Sequence, residues 1–259
     1  MRCAVVGHVE WTEFVLVDEV PAAGLIAHGH GALAEPAGGG AVVASQLARL
    51  AGGCDLYTAL GLDAAGEASL RRLAELGVSV HAERFGETRR AFTLVDRAHE
   101  RTITTIGPKL RPRGPLPLED YDAVFFVAGE LEALRSARGA RFLAATPREL
   151  ETLLAGGVPL ELLVGSGTDP GERYEGGLEV ELVVTTEGAA GGAANGRRYE
   201  AMAPPGPLAD TYGAGDSFAA ALCYALARGD RLEAALELAA RAGAAVVAGR
   251  GPFATQITI

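Results

Sequence analysis

Lysine and asparagine are almost absent from this sequence: Lys109 and Asn195 are each the single residue of their kind. Positive charge rests on arginine, and 33 Asp and Glu against 23 Lys and Arg leave a net charge of −10. That balance excludes a general nucleic-acid binder, because a phosphate backbone needs a basic face. It leaves room for a phosphorylated ligand held in a local positive pocket. The scarcity of lysine and amides fits either a GC-rich genome or avoidance of thermolabile side chains. Cysteine is also sparse. Cys3, Cys54 and Cys223 are odd in number, widely spaced and set among apolar residues. They make neither a disulfide framework nor a zinc spacing, and read as reduced core residues. No run of about 18 apolar residues occurs without glycine clusters or charges, so no membrane span is expected. Met1-Arg2 leads straight into the strand-like Cys3–Gly7 with no secretory leader pattern. The expectation is a soluble, cytoplasmic protein with no nucleic-acid or membrane partner.

What is present is apolar mass: 49% of the 259 residues are hydrophobic and 22% charged, enough to bury a sizeable α/β core. Cys3–Gly7 reads as a buried first strand. Short strand candidates follow at Phe14–Val17 and Gly24–His28, split by Pro21. Gly38-Gly39-Gly40 opens a helix over about 41–50, with Val43, Leu47 and Leu50 at helical spacing. A strand over 55–60 and a helix over about 66–76 come next, then two strands, Ala91–Asp96 and Arg101–Ile106, and a Pro-rich linker at 108–117. Beyond it strands (122–128, 141–145, 160–164, 180–185) alternate with helices (130–137, 147–155, one from about Pro170). A short strand near 197–203 and two good helices, 215–228 and 231–248, close the chain. Such alternation specifies a mainly parallel sheet covered on both faces, in one domain over 1–259. The β-rich segments 12–33 and 88–107 lack helices and form a candidate lid.

The strongest constellation is Asp210-Thr211-Tyr212-Gly213-Ala214-Gly215-Asp216-Ser217-Phe218. A Gly turn feeding a helix N-terminus offers convergent N–H groups backed by the helix dipole, which is an anion site. A carboxylate placed there repels a phosphate, so pure binding has no use for Asp216. Phosphoryl transfer does: the carboxylate accepts the proton of an attacking hydroxyl while the amides hold developing charge. The dipole and amides are expected to depress the pKa of Asp216.

Asp-Thr-Tyr-Gly-Ala-Gly-Asp resembles the C-terminal motif of the ribokinase-like (PfkB) carbohydrate and nucleoside kinases. Pro36-Ala37-Gly38-Gly39-Gly40-Ala41 resembles that family's N-terminal Gly-Gly motif. Leu60-Gly61-Leu62-Asp63-Ala64-Ala65-Gly66, followed by Leu76-Gly77-Val78, resembles its central stretch, and Glu100–Ile103 its lid strand. The resemblance implies a ribokinase-like, Rossmann-type three-layer α/β fold with a small β-sheet lid. It implies ATP- and Mg²⁺-dependent phosphorylation of a hydroxyl on a small sugar-like or polyol substrate, and a homodimer formed through the lid. Asp216 becomes the base and Gly213, Ala214 and Gly215 the anion hole. Thr186 and Gly188 in Thr185-Thr186-Glu187-Gly188, with Thr211 and Gly251, fall to the nucleotide. Asp169 and Glu172 in Asp169-Pro170-Gly171-Glu172 stand where the family's Asn-x-x-Glu helps place magnesium. Glu10, Thr12, Gly39, Gly40, Val43 and Asp216 fall to the acceptor.

Glu10 and Thr12 replace the Asn and Asp common at the end of the first strand, and Val43 replaces an Asn. These departures make a plain ribose doubtful as acceptor and keep two alternatives open: a nucleoside or vitamin-alcohol kinase, and a non-catalytic nucleotide- or sugar-binding protein. Arg89 and Arg90, at the lid, read as solvated, with contact to the substrate as the alternative. His28-x-His30 reads as a strand pair with no third metal ligand.

Overall fold

The computed structural model describes residues 1–259. The chain builds β1 (Cys3–Val6), β2 (Glu10–Leu16), β3 (Gly31–Ala37), α1 (Gly39–Ala51), β4 (Cys54–Leu60), α2 (Ala64–Glu75), β5 (Val78–Arg84), β6 (Arg90–Val95) and β7 (Arg101–Ile106). Then come β8 (Ala123–Phe126), α3 (Leu131–Ala137), β9 (Leu143–Ala145), α4 (Leu150–Gly156), β10 (Leu160–Ser166), β11 (Val180–Thr186), β12 (Gly192–Ala194), β13 (Arg197–Tyr199), α5 (Ala214–Ala227) and α6 (Leu232–Val246).

A nine-stranded sheet runs β13-β12-β11-β10-β9-β8-β1-β4-β5. It is parallel from β5 to β11, and antiparallel only in β11–β12–β13. Its central strands feed two separate cores, as a pleat with side chains alternating between faces requires. Cys3, Val5 and Phe125 enter the core formed with α1, α5 and α6, while Ala4, Val6 and Phe126 enter the core formed with α3 and α4. The result is three layers. No helix is long and apolar enough to cross a membrane.

The second sheet is small and separate, in the order β3-β2-β6-β7. It draws on both β-rich segments, though its strands differ in detail from those expected. Residues 24–28 are irregular, and the strand is Gly31–Ala37. Pro36 fits there because β3 is an edge strand, where a missing N–H costs no ladder bond. His28 and His30 therefore lie in an exposed loop, and nowhere do three or more potential metal ligands converge. Two further expectations are corrected. Val78–Arg84 is a strand paired along its length with β4. Pro170 opens only a 3₁₀ turn of three residues, capped by Asp169 Oδ1 accepting from Gly171 N at 2.8 Å.

The parallel strands end along one edge of the large sheet, and that edge carries the chemistry, as in open α/β sheets generally. Gly7–His8, Val127, Thr146, Ser166 and Thr186 all lie at or just past these strand ends. Gly40 seats α1 against this edge: a Cβ on it would stand 2.5 Å from the His8 carbonyl oxygen and 2.8 Å from the Gly7 carbonyl carbon.

Candidate active site

The Asp210–Asp216 segment forms the turn into α5. Gly213 is its N-cap in the left-handed region (φ 81°), and a side chain there would also press on Pro252 and Val42. Ala214, Gly215 and Asp216 occupy the first turn, whose N–H groups have no carbonyl partner four residues back. The space beside the Gly215 α-carbon is open. The three expected anion-hole residues thus stand together at an accessible helix N-terminus.

A second helix N-terminus meets this one. Gly39 opens α1, and the point a Gly39 Cβ would occupy lies 3.1 Å from Asp216 Oδ1. Asp216 is partly buried between the two helices. Its carboxyl is raised to about 6, chiefly by burial. Glu172 and Glu10 push in the same direction, and Arg101 and Arg148 oppose them. The expected depression by the helix terminus is overturned, because desolvation of the charged form outweighs it.

Motif residues also fasten the small sheet over this floor. Tyr212 Oη accepts from Gly38 N at 3.1 Å, and its ring meets Phe14 of β2 edge-on at 5.0 Å. Arg101 Nη1 donates to Thr211 Oγ1 at 3.0 Å, and Thr211 Oγ1 donates to the His99 carbonyl at 3.3 Å. Thr211 is therefore engaged with the small sheet. Gly251 is buried, and its N–H is engaged inside the protein, donating to Asp210 Oδ2 at 3.1 Å. Asp210 also accepts from Tyr212 N at 2.9 Å, which braces the turn from below. Thr186 ends β11 partly exposed, and Gly188 follows on the surface with φ 57°.

Of the acceptor candidates, Glu10 and Gly39 border the cleft. Glu10 Cγ lies 3.3 Å from the point where a Gly38 Cβ would stand, and Arg89 Nε stands 3.4 Å from Glu10 Oε2. Burial raises the Glu10 carboxyl, with Arg89 and Lys109 opposing. Thr12 and Val43 are corrected. Thr12 is fully buried with Oγ1 unpaired, Val43 is packed in the α1 core, and Gly40 is spent on its approach to His8. The Thr12 and Val43 side chains are closed off in the core, whereas the Gly40 N–H lies in the first turn of α1 with no carbonyl partner four residues back.

Asp169 and Glu172 sit together on Arg148. Arg148 Nη2 reaches Asp169 Oδ2, and donates to Glu172 Oε1 at 2.9 Å, while Ser166 N donates to Glu172 Oε2 at 3.0 Å. With Gly171 N on Asp169 Oδ1, every carboxylate oxygen already has a donor. The pair does not fit as direct metal ligands. Each oxygen keeps a second lone pair, which suits it to accept from water around an ion carried by nucleotide phosphates.

Sequence reasoning missed His8, Lys109, Arg101 and Arg148, which lie near Gly38, Glu10 or Asp216. Arg89 is not solvated: its side chain is 19% exposed. Lys109 lies in a segment read as a linker, and its being the only lysine was the one available signal.

Residues 168–258 match the pfkB family carbohydrate kinase. A stretch of 69 residues is 42% identical to acarbose 7(IV)-phosphotransferase of Actinoplanes sp., covering 24% of this chain and 23% of that protein. The chain superposes on a microbiome-derived acarbose kinase with TM-score 0.80 and 21% identity, over 99% of this chain and 96% of the other. It superposes on Arabidopsis thaliana ribokinase, solved with ribose and ATP, with TM-score 0.76 and 20% identity, over 99% and 96%. At such identities the structural likenesses speak for the fold. The pfkB family match is confined to residues 168–258, about a third of the chain, and the whole of it has the ribokinase-like fold.

Proposed function

We propose that this protein is an ATP-dependent kinase that phosphorylates a hydroxyl of a small sugar-like or polyol acceptor, with Asp216 as base. One observation carries the reading: a carboxylate raised to about 6 sits in the first turn of α5, where two glycine-led helix N-termini meet. Binding alone would not place a negative charge beside a phosphate cradle. In the transfer, the acceptor oxygen bonds to the γ-phosphorus of ATP as the bond to the β-phosphate oxygen breaks. The acceptor proton passes to Asp216, and ADP leaves with the electron pair. The N–H groups of Ala214 and Gly215 hold charge developing on the transferring group. Magnesium, when bound with the nucleotide, would supply positive charge to its phosphates, and Asp169 and Glu172 would hold it by accepting hydrogen bonds from its water. The small sheet acts as a lid: Tyr212 and Thr211 tie it to the turn, so closure and the catalytic floor are coupled.

A coupled ADP-release screen over sugars, polyols, cyclitols, nucleosides and acarbose tests the activity. Acarbose belongs in it because the relative that is 42% identical over 69 residues is an acarbose 7(IV)-phosphotransferase. Turnover with a hydroxylated acceptor is expected; ATP hydrolysis that no acceptor stimulates would defeat the reading. Because Asp216 must be ionised to take a proton, kcat/KM is expected to rise with pH and level off above about 6. A profile flat down to pH 5 would remove Asp216 as the base.

The lid is also the surface proposed for homodimerisation. All six residues of edge strand β7 are exposed, among them Ile103 at 41% and Ile106 at 56%. An unpaired strand edge with apolar side chains is a ready template for a second copy. Ile103→Lys with Ile106→Lys is expected to convert a dimer to a monomer in sedimentation. A wild-type monomer at micromolar concentration would sink this part.

A further inference from the structure

Away from the cleft, a cavity of about 300 Å³ opens beside the C-terminal end of α1. Glu35, Arg49, Arg72, Glu75, Leu76 and residues 250–254 line it. Arg49 lies near the far end of the helix that Gly39 opens, so about 15 Å of helix separates it from the turn that meets Asp216. Phosphoryl transfer has no use for this place. Three arginines nevertheless converge on it, in a chain whose net charge is −10.

Only one of the three is matched to carboxylates. Arg72 donates to Glu35 of lid strand β3 at 2.8 and 2.9 Å, and to Glu75 at 3.1 Å. Arg49 donates to two carbonyls, those of Gln256 at 3.3 Å and Phe253 at 3.1 Å, and its Nε is buried with no partner. Arg250 is exposed and forms no ion pair. Asp210, behind Gly251, is spent on the N–H groups of Tyr212 and Gly251. Two guanidinium forks with free donors therefore share a cavity at the lower size limit of small-molecule pockets. The ligand that matches them is a compact organic anion with two or more carboxylate or phosphate groups, one for each fork. The dipoles of α1 and α2, whose C-terminal ends lie here, oppose an anion. They do so by less than one charge-assisted hydrogen bond favours it.

The walls of this cavity reach both the lid and the catalytic turn. Arg72 ties Glu35, and with it β3, to α2. Pro252 underlies Gly213, with its Cβ 3.0 Å from the point a Gly213 Cβ would occupy, and the Gly251 N–H braces Asp210. An anion held by Arg49 and Arg250 brings negative charge against Glu35 and competes for Arg72, which loosens β3 from α2. We propose that the cavity is a regulatory site for a small organic polyanion, held by Arg49 and Arg250 and coupled to the lid through Arg72 and Glu35.

Calorimetric titration of citrate and of 3-phosphoglycerate into the wild-type protein tests the binding, which does not depend on the kinase reading. At least one is expected to bind, with Arg250→Ala weakening it about 10-fold and Arg250→Glu abolishing it. Binding of citrate alone identifies a polycarboxylate, and binding of 3-phosphoglycerate alone a phosphate ester. Arg250 is exposed and unpaired, so its variants should keep the fold, and melting temperatures check this. Binding of neither anion overturns the site. Binding indifferent to both Arg250 variants also overturns it, and places the anion elsewhere. The coupling is read from turnover at fixed free magnesium. The bound anion is expected to raise the acceptor KM about 5-fold or more with little change in kcat, and Glu35→Gln to raise it without the anion. Arg250→Ala should leave basal turnover unchanged and remove the effect. A KM unmoved by an anion that binds through Arg250 overturns the regulatory role. Should no acceptor be turned over, the kinase reading falls, and the calorimetry still decides the site.

Discussion

Asp216→Asn is expected to lower kcat by about 10²- to 10⁴-fold, the usual contribution of a positioned general base. The amide keeps the shape and burial of the carboxylate but cannot take the acceptor proton. ATP affinity should hold or improve, because the substitution removes a negative charge facing the phosphates. Stopped-flow or filter-binding measurements of ATP, beside steady-state turnover, separate the two effects. Near wild-type turnover with the preferred acceptor would exclude Asp216 as base. The same variant should show that the site carries a stability cost. A carboxyl raised to about 6 folds most favourably when protonated, so its contribution weakens as pH climbs from about 4 through 6. Above pH 6 the folded protein holds a carboxylate it disfavours. Asp216→Asn should therefore melt higher than wild type at pH 7–8, the gap closing near pH 4. A variant that melts lower at pH 8 would mean that Asp216 is a structural cap and not a strained base.

Gly40→Ala is expected to destabilise the fold by about 3 kcal/mol, the upper end for overpacking a tight interior. The added methyl meets backbone atoms of Gly7 and His8 at 2.5 to 2.9 Å, and no side chain can swing aside to admit it. For a chain of this size that corresponds to a fall in melting temperature of about 6–12 °C. The strain also separates β1 from the N-terminus of α1, so His8, Gly39 and Asp216 should lose register together. Calorimetry and turnover on surviving protein read the two consequences. A melting temperature unchanged within a degree would show that the helix start yields more easily than its packing indicates.

Much of this architecture was legible along the chain because it rests on local signals. The strands Cys3–Val6, Leu160–Ser166 and Val180–Thr186 are short apolar runs, and the closing helices show unbroken helical spacing. Val78–Arg84 escaped because Ser79, His81 and Glu83 break the apolar run, and its pairing with β4 supplies what its composition lacks. The helix expected after Pro170 failed for a local reason. Gly171 follows the proline, and Asp169 and Glu172 turn back onto Arg148, so their hydrogen bonds favour one tight turn over a helix.

The site divides along the same line. Asp216, Gly213, Ala214 and Gly215 were readable because a helix N-terminus is built from consecutive residues, and its amides converge whatever surrounds them. Gly39 belongs to the second such turn. The acceptor end is assembled from β1, the lid and the segment after β7, residues up to about a hundred positions apart. Only packing decides there which side chains face the cleft. It turned Thr12 and Val43 inward to the core, set Arg89 beside Glu10 and placed Lys109 on Glu149. The pKa of Asp216 is tertiary in the same sense. Its local sequence argues for an acid held low, but burial between α1 and α5, with Glu172 brought near, raises it. The sequence by itself determined the glycine-led helix N-terminus and the carboxylate in its first turn, because both lie within one turn of chain. The ionisation of that carboxylate was decided by tertiary structure, because burial and charge depend on elements the chain joins only on folding.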